Sequence, residues 1–371
     1  MRSRLLSVYQ VLYERLGLPL LLRTNPQKAH EAVPDLLSRL DQALLGPPSL
    51  RLLNRIFFAK NTIRAGGVTF DYPLIVAAGL VKGHGFANEE HALEAVRNGT
   101  NIIPGWLSVP ALLGAVEFGS FTRYPRLGNS GTVIWRDAAT HSIQNRIGLR
   151  NPGAKAAALF LHNHRASLPL VWGINLAVSP GVHDPKLEEA EITEALEIFL
   201  AHGILPSWFT LNLSCPNTED DPQSNQTREK AQRLCLSLKT RLRNVSIPLW
   251  VKISPDLSED QYAALMEAFI ETKVDAIIAT NTLSVPTPDD ASIYAGVAGG
   301  RLFSKSMDAL EAIARAGLNY EKTPDLVACG GILNGRSFAA ARARGAKVCQ
   351  YWTSLIYRGP LAAALIAEEI K

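Results

Sequence analysis

The sequence lacks several features that mark metal-binding, secreted and nucleic-acid-binding proteins. It has only four cysteines among 371 residues, and they form no C-x-x-C pair. Widely spaced cysteines without a histidine cluster argue against a structural metal and a disulfide framework, and they favour a reducing compartment. The basic residues are scattered rather than gathered in tracts, which argues against a nucleic-acid partner. No apolar run reaches the length that we expect of a membrane span.

The composition that remains is that of an ordinary globular protein. Apolar residues make up 47% of the chain and charged residues 19%, with a net charge of +4. A chain of this length is long enough for two or three domains, or for one (β/α)8 barrel with an added segment.

Residues 1–65 read as a module of short helices. An apolar helix is predicted from Leu5 to Leu16, and Asn25 with Pro26 forms a cap and first-turn proline for a second helix through Leu40. Arginines surround the leucines of the first half. This pattern fits either contact with an anionic membrane surface or a helical hairpin packed on the main domain.

From Val68 onward, short apolar strands alternate with amphipathic helices, which predicts an α/β fold of the (β/α)8 TIM-barrel type over residues 66–371. The predicted strands are Pro73 to Gly79, Asn101 to Leu107, Leu170 to Ala177, Trp208 to Ser214, Leu249 to Ile253, Ala276 to Thr280, Leu326 to Cys329 and Val348 to Trp352. The long interval from Ser108 to Pro169 predicts an excursion that covers the barrel mouth as a lid. Ser258 and Gln261 predict a capping box at the start of a helix.

The segment from Asn212 to Thr218 is the most informative motif, because it follows an apolar strand and holds a cysteine between two asparagines. Cys215 as a thiolate can take up a proton, and the carboxamides of Asn212 and Asn217 can pair with a planar, urea-like ligand. Gly330 and Gly331 follow the seventh predicted strand, where glycine backbones commonly hold a phosphate group.

Taken together, the motifs resemble the dihydroorotate dehydrogenase family, colinearly from about Asn25 to Pro360. The matching segments are Ala77-Ala78-Gly79-Leu80-x-Lys82, Asn145-Arg146-x-Gly148, Gly173-Ile174-Asn175, Asn212-x-Ser214-Cys215-Pro216-Asn217-Thr218, Val251-Lys252-Ile253-x-Pro255-Asp256, Ala279-Thr280-Asn281-Thr282, Gly330-Gly331-Ile332 and Arg358-Gly359-Pro360.

The resemblance implies an FMN-dependent oxidation of dihydroorotate to orotate, a step of pyrimidine synthesis, with Cys215 as the general base. It implies that the flavin is bound by Ala77, Ala78, Gly79, Asn175, Lys252, Thr280, Gly299, Gly330, Gly331, Trp352 and Thr353. It implies that the substrate is bound by Lys82, Asn145, Asn212, Asn217, Asn281 and Thr282. Lys252 would stabilise negative charge on the flavin pyrimidine ring, and Lys82 would contact both flavin and substrate carboxylate.

The segment Asn25-Pro26-x-x-Ala29-His30 is similar to the N-terminal module of the membrane-associated class of this family, which uses a quinone as electron acceptor. The resemblance therefore implies a quinone partner and a cytoplasmic protein, with peripheral contact to the inner face of the cell membrane as a further expectation. Cys215 and Leu149 instead match the soluble class, where the membrane class usually has serine and phenylalanine. A cysteine base extends activity to lower pH than serine.

Several residues depart from the family pattern and keep other functions open. Val81 replaces an aspartate, Arg150 replaces an asparagine, and Trp106 stands where a small hydroxyl residue usually follows glycine beside the flavin. One alternative is a flavin barrel that acts on another dihydropyrimidine or on an ene-type compound. The other is a flavin-barrel scaffold that has lost turnover.

Overall fold

The computed structural model describes residues 1–213 and 226–370. Its helices are α1 (Arg2–Leu12), α2 (Leu18–Arg23), α3 (Pro26–Gln42), α4 (Gly46–Phe57), α5 (Glu89–Arg97), α6 (Ser108–Leu113), α7 (Gly153–Asn163), α8 (Pro185–Ala201), α9 (Arg228–Leu242), α10 (Glu259–Glu271), α11 (Gly300–Ala316), α12 (Gly335–Ala343), α13 (Ser354–Arg358) and α14 (Ala362–Glu369). Its strands are β1 (Ile63–Ala65), β2 (Val68–Phe70), β3 (Leu74–Val76), β4 (Val116–Phe121), β5 (Ile134–Asp137), β6 (Ser142–Asn145), β7 (Trp172–Ala177), β8 (Trp208–Asn212), β9 (Leu249–Ile253), β10 (Ala276–Ala279), β11 (Leu283–Pro286), β12 (Tyr294–Gly299), β13 (Asp325–Cys329) and β14 (Ala346–Tyr351).

Eight parallel strands close into a barrel, in the order β3, β4, β7, β8, β9, β10, β13 and β14, with β14 paired back to β3. The strands are buried on both faces, which explains why most of them are continuous apolar runs in the sequence. The predicted (β/α)8 barrel with helices before it is confirmed. The carboxyl ends of the strands all lie at one end of such a barrel, which we refer to as the mouth.

One predicted strand is wrong. Residues 101–107 form an irregular loop, and the second barrel strand is instead β4. The sequence analysis mistook this loop for a strand because Ile102 and Ile103 are completely buried. A short apolar run in the sequence does not distinguish a strand from a buried loop. Asp41 holds the loop in place by accepting hydrogen bonds from the Gly105 and Ser108 backbone N–H groups at 2.7 and 2.8 Å.

The end of the barrel opposite the mouth is closed by aromatic side chains and by the β1–β2 hairpin. The rings of Trp208 and Trp250 stack with centroids 4.7 Å apart, and Phe70 of the hairpin packs against both of them. The Trp250 indole N–H also donates to the Gly66 carbonyl at 3.0 Å. A ligand therefore has access to the barrel interior from the mouth.

A second sheet of four antiparallel strands, in the order β11, β12, β6 and β5, lies beyond the barrel strands. It is joined to the mouth because β11 follows the carboxyl end of β10 after a short loop, and β12 leads directly into α11. The Gln144 carboxamide ties β6 to β11 by donating to the Pro286 carbonyl at 2.9 Å. The interval from Ser108 to Pro169 thus contains one barrel strand as well as the β5–β6 excursion.

The N-terminal helices are held against the barrel by specific contacts. Asn25 caps α3 as predicted, with its side chain accepting from two backbone N–H groups. The Tyr13 hydroxyl donates to the Ile356 carbonyl at 2.7 Å, and the Tyr9 hydroxyl donates to the Arg358 carbonyl at 3.0 Å. The capping box of Ser258 and Gln261 at the start of α10 is also confirmed.

The first helical segment revises an expectation about membrane spans. A short π-helical segment joins α1 to α2, and the resulting helix, Arg2–Arg23, has 22 residues and is long and apolar enough to cross a membrane. The same helix packs on the barrel through Leu6, which is only 1% exposed. Its length and composition alone therefore do not make it a span.

Candidate active site

Four of the predicted site residues lie at the ends of neighbouring barrel strands and meet at the mouth. Asn212 on β8 is in register with Lys252 on β9 and with Ala177 on β7, two residues beyond Asn175. Thr280 directly follows β10. Because all the strands are parallel, the polar side chains after their apolar segments converge on one cavity.

Two of the predicted substrate-binding asparagines contact each other directly. The Asn281 amide N–H₂ donates to Asn212 Oδ1 at 3.1 Å, and the Asn212 amide N–H₂ reaches Ser120 Oγ at 3.4 Å. Asn281 Oδ1 accepts from the Thr282 backbone N–H at 2.9 Å. These bonds fix the positions of the carboxamide oxygen, which accepts, and of the amide nitrogen, which donates. Recognition of a ureide requires such a fixed order of donors and acceptors.

A buried carboxylate that the sequence analysis missed lies beneath these residues. Glu117 on β4 is 0% exposed and accepts hydrogen bonds from Asn175 at 2.8 Å and from Gln350 at 3.0 Å. The other side of the Gln350 carboxamide accepts from Lys252 Nζ at 3.2 Å. In the sequence, a lone glutamate inside the apolar run from Val116 was the sign of this buried polar group. It was overlooked because the strand that contains it was not predicted.

Lys252 also contacts Cys329, which the sequence analysis took for a packing residue. Desolvation raises the pKa of the Cys329 thiol, and Lys252 opposes that shift through its charge and a hydrogen bond. Cys329 thus packs against the hydrophobic core, as predicted, and also contacts Lys252, whereas Cys235 and Cys349 are fully buried packing residues.

The predicted phosphate-binding residues converge on the N-terminus of α11. A Cβ added to Gly331 would lie 3.0 Å from the Gly299 carbonyl oxygen, and one added to Gly299 would lie 2.9 Å from Thr353 Cγ2. Both glycines have positive φ, +70° and +86°, which side chains rarely adopt. The first N–H groups of α11 bond to the loop before β6: the Arg301 backbone N–H donates to Ser142 Oγ at 2.9 Å, and the Gly300 N–H donates to the His141 carbonyl at 3.3 Å. Gly330 packs against Ser306, which hydrogen-bonds the Thr280 hydroxyl at 3.0 Å.

The segment after β3 borders the same cavity. The Ala77 backbone N–H donates to the Tyr351 carbonyl at 3.0 Å, and the Gly79 N–H donates to the Gly119 carbonyl at 2.7 Å. A Cβ on Gly79 would lie 3.9 Å from the Trp352 indole nitrogen. Ala77, Ala78 and Gly79 therefore lie between the ends of β14 and β4, next to Trp352.

Helix α3 brings a histidine to the mouth beside two basic residues. Burial, and then the charges of Lys82 and Arg150, lower the pKa of His30 to about 4. Burial also lowers the pKa of His84, a shift that Asp35 opposes and Arg150 supports. At neutral pH, His30 is therefore an uncharged group next to Lys82. Asn145 lies at the end of β6, opposite Gly296 of β12.

Trp106 does not lie where the sequence comparison put it. Its ring packs against Phe160 and His164 of the α7 region, with centroids 5.9 and 4.7 Å away, in the layer outside the barrel. A glycine followed by a small hydroxyl residue does occur on the second barrel strand, as Gly119 and Ser120 of β4. The correction has the same cause as the missed strand, because the motif was assigned to residues 101–107.

Two predicted residues, Cys215 and Asn217, lie outside the described residues, so their predicted roles rest on the sequence. Within residues 1–213 and 226–370, no group of three His, Cys, Asp or Glu side chains could hold a metal ion.

Comparisons by sequence profile, by sequence and by structure all relate this chain to the same family. The sequence profile of the family described as dihydroorotate dehydrogenase matches residues 62–371. A dihydroorotate dehydrogenase (quinone) from Azotobacter vinelandii is 31% identical over 364 residues, covering 95% of this chain and 94% of the relative. A protein of the same name from Methylococcus capsulatus is 30% identical, covering 96% of this chain and 98% of the relative. A ligand-free DHODH from Eimeria tenella has a TM-score of 0.74 at 22% identity, covering 93% of this chain and 94% of that one, which is a likeness of fold.

Proposed function

The chain belongs to the dihydroorotate dehydrogenase family, and we propose that it oxidises dihydroorotate to orotate with bound FMN and passes the electrons to a quinone. Relatives that match nearly its whole length carry the name of the quinone-dependent enzyme. The family uses a flavin in general, and FMN is the form that we propose for this chain.

The observation that carries the proposal is an unpaired acceptor near the carboxyl end of β7. Asn175 Oδ1 is buried and has no hydrogen-bond partner, although the amide nitrogen of the same side chain is bonded to Glu117. A buried acceptor of this kind costs about 1–3 kcal/mol unless a ligand supplies a donor. The pyrimidine ring of a flavin has one such donor, its imide N–H.

The rest of the cavity fits the other parts of FMN. Lys252 is 6% exposed and supplies a cation for the polar edge of the flavin ring. Gly299, Gly331 and Thr353 form a cradle at the N-terminus of α11, where the positive end of the helix dipole favours the phosphate. The separation of a cationic ring site from an anion cradle favours FMN over a flavin without phosphate.

The residues of the chain would divide the reaction between them. When bound, FMN supplies the acceptor for the hydride that leaves C6 of the substrate. Cys215 would take the proton from C5, and Lys82 would hold the substrate carboxylate. Asn145, Asn212, Asn217, Asn281 and Thr282 would orient the ureide, because its alternating N–H and C=O groups need both donors and acceptors.

A quinone would reach the mouth beside the N-terminal helices. Between α3 and the barrel, the uncharged imidazole of His30 lies next to Lys82 and Arg150. The imidazole N–H and the two cations would suit the carbonyl oxygens of a quinone, which accept hydrogen bonds. Arg136 anchors this side of the module by donating to the Leu21 carbonyl at 2.8 Å.

The outer surface of the N-terminal module suits peripheral contact with a membrane. Its exposed apolar residues include Leu5, Val8, Val11, Leu12, Leu16, Leu20, Leu52, Leu53 and Ile56, and the exposed arginines among them include those at positions 4, 15, 23 and 51. Exposed leucines beside arginines are typical of helices that lie on anionic lipid. Such a surface would bring the mouth close to membrane-dissolved quinone.

The decisive experiment is an anaerobic titration of the purified protein with dihydroorotate. We expect a yellow protein whose absorbance near 450 nm bleaches with dihydroorotate and recovers with a short-chain quinone faster than with fumarate or NAD+. A Lys252→Met variant should lose the bleaching, whereas a Lys322→Met variant, which changes an exposed lysine, should keep it. Absence of bleaching at any pH would remove dihydroorotate as the substrate, and bleaching by NADPH alone would favour the alternative flavin enzyme. That alternative has lost one support, because Trp106 packs outside the barrel.

Two further measurements test the base and the membrane surface. A Cys215→Ser variant should keep some activity with a higher pH optimum, because a thiol with a pKa of about 8.5 ionises far more readily than an alcohol. In a flotation assay, the protein should bind vesicles that contain anionic lipid. A Leu16→Glu/Leu20→Glu variant should bind less, while Leu318→Glu, on another exposed surface, should bind as the wild type does.

A further inference from the structure

Glu117 is surrounded by donors that carry no charge. Its two carboxylate oxygens accept from Asn175 Nδ2 at 2.8 Å, Trp208 Nε1 at 3.0 Å, Thr210 Oγ1 at 2.8 Å and Gln350 Nε2 at 3.0 Å. An ionised carboxylate only accepts hydrogen bonds, so each of these partners must turn a donor toward it. The buried carboxylate thereby fixes the direction of every hydrogen bond in this layer of the barrel.

That constraint determines which end of the carboxamide is the donor in two buried side chains on β7 and β14, Asn175 and Gln350. Asn175 must direct its amide nitrogen at Glu117, which leaves Oδ1 as the acceptor without a partner. Gln350 must do the same, which leaves its Oε1 to accept from Lys252 Nζ at 3.2 Å. The hydrogen bonds from Gln350 to Glu117 and from Lys252 to Gln350 thus connect a buried carboxylate to the buried ammonium group of Lys252.

We propose that Glu117 is the positioning residue of the flavin site. It presets Asn175 as an acceptor for the imide N–H of the flavin pyrimidine ring, and it holds Lys252 in place through Gln350. This inference rests on the proposed FMN site. It assigns a role to a residue outside the proposed binding sets, which would act through Asn175 directly and through Gln350 on Lys252.

A Glu117→Gln change keeps the size of the side chain and reverses one of its hydrogen-bonding groups. The new amide N–H₂ would face a donor, and the conflict is relieved when Asn175 rotates and turns its own N–H₂ toward the cavity. A donor would then meet the imide N–H of the ligand. The variant should therefore bind FMN more weakly, and it should no longer distinguish FMN from an analogue whose imide nitrogen carries a methyl group.

The experiment compares the binding of FMN and N3-methyl-FMN to flavin-free protein by fluorescence quenching. The wild type should prefer FMN by about tenfold or more, because the methylated ring leaves Asn175 Oδ1 unpaired. Glu117→Gln should reduce that preference to about twofold or less. Thr210→Val is the matched control: it removes one hydrogen bond to the same carboxylate but keeps the charge and the orientation of Asn175, so the preference should persist.

A second variant separates the two arms of the network and remains informative if Glu117→Gln does not fold. Gln350→Met breaks the link to Lys252 but leaves Asn175 bonded to Glu117. It should keep the preference for FMN while changing the midpoint potential of the bound flavin. Equal binding of the two flavins by the wild type, or a preference that survives in Glu117→Gln, would overturn the inference. Wild-type protein that binds neither flavin would overturn the proposed function itself.

Discussion

His30 gives the sharpest test of the electrostatics at the mouth. Burial and the charges of Lys82 and Arg150 lower its pKa from the ordinary 6.5 to about 4. In the unfolded chain this histidine takes up a proton as the pH falls below about 6.5, whereas in the folded protein it resists protonation down to about pH 4. The folded state is therefore penalised as the pH falls through this window.

The size of the effect follows from the two pKa values. Each unit of difference corresponds to about 1.4 kcal/mol, so a shift of this size contributes roughly 3 kcal/mol at full extent. This stability is present above about pH 6.5 and is lost progressively as the pH falls to about 4. From about pH 7 to about pH 5 the loss attributable to His30 alone should be roughly 2 kcal/mol.

Urea unfolding of the wild type and of a His30→Gln variant across this pH range measures the effect. Other groups titrate in both proteins, so the relevant quantity is the difference between their free energies of unfolding. That difference should move in favour of the variant by roughly 2 kcal/mol between about pH 7 and about pH 5. His91→Gln, which removes an exposed histidine, controls for the loss of an imidazole. A difference that stays constant with pH would refute the burial of His30 beside the two cations.

Three other changes test the packing of the loops and helices. Asp41→Ala should destabilise the protein by roughly 2–4 kcal/mol, because it removes the carboxylate that accepts hydrogen bonds from the loop before α6. Thermal unfolding measures this loss. The control Asp71→Ala breaks only an exposed ion pair and should cost less than about 1 kcal/mol. Gly331→Ala should lower FMN affinity in a fluorescence titration, whereas Gly99→Ala, at a similar positive φ but with open space around it, should not; equal losses in both would refute the steric argument. Tyr9→Phe should lower the free energy of unfolding by about 1 kcal/mol, since the hydroxyl donates to the Arg358 carbonyl. The N-terminal helix should also become easier to cleave in limited proteolysis. An unchanged digestion pattern would contradict this contact between the helix and the barrel.

Local patterns sufficed for much of the fold. The run from Leu249 to Ile253 was predicted as a strand with the bounds that the structure has, because a buried parallel strand is a short, continuous apolar segment. The cap at Asn25 and the capping box at Ser258 were equally readable, since both depend on residues within four positions of each other. The candidate site was approached in the same way, because polar residues that follow apolar strands gather at the mouth of a parallel barrel.

Where local pattern and tertiary context disagreed, the sequence analysis failed. The loop at Ile102 and Ile103 resembles a strand because both side chains are buried in the core, but the loop is held by hydrogen bonds from Gly105 and Ser108 to Asp41 of α3. The real strand, β4, contains Glu117, and a carboxylate argues against a buried position unless its partners are known. Those partners come from other strands, so their positions in the sequence give no sign of the contact.

The sequence by itself determined seven of the eight barrel strands, several helix starts and many of the chemical groups at the strand ends, because propensity, capping and apolar burial act over a few residues. Tertiary structure alone decided which way those groups face. The acceptor of Asn175, the bond from Gln350 to Lys252 and the neutral state of His30 each depend on side chains far away in the chain. Hydrogen-bond direction and desolvation are properties of the assembled barrel, since they arise only when donors, acceptors and charges from separate strands share one interior.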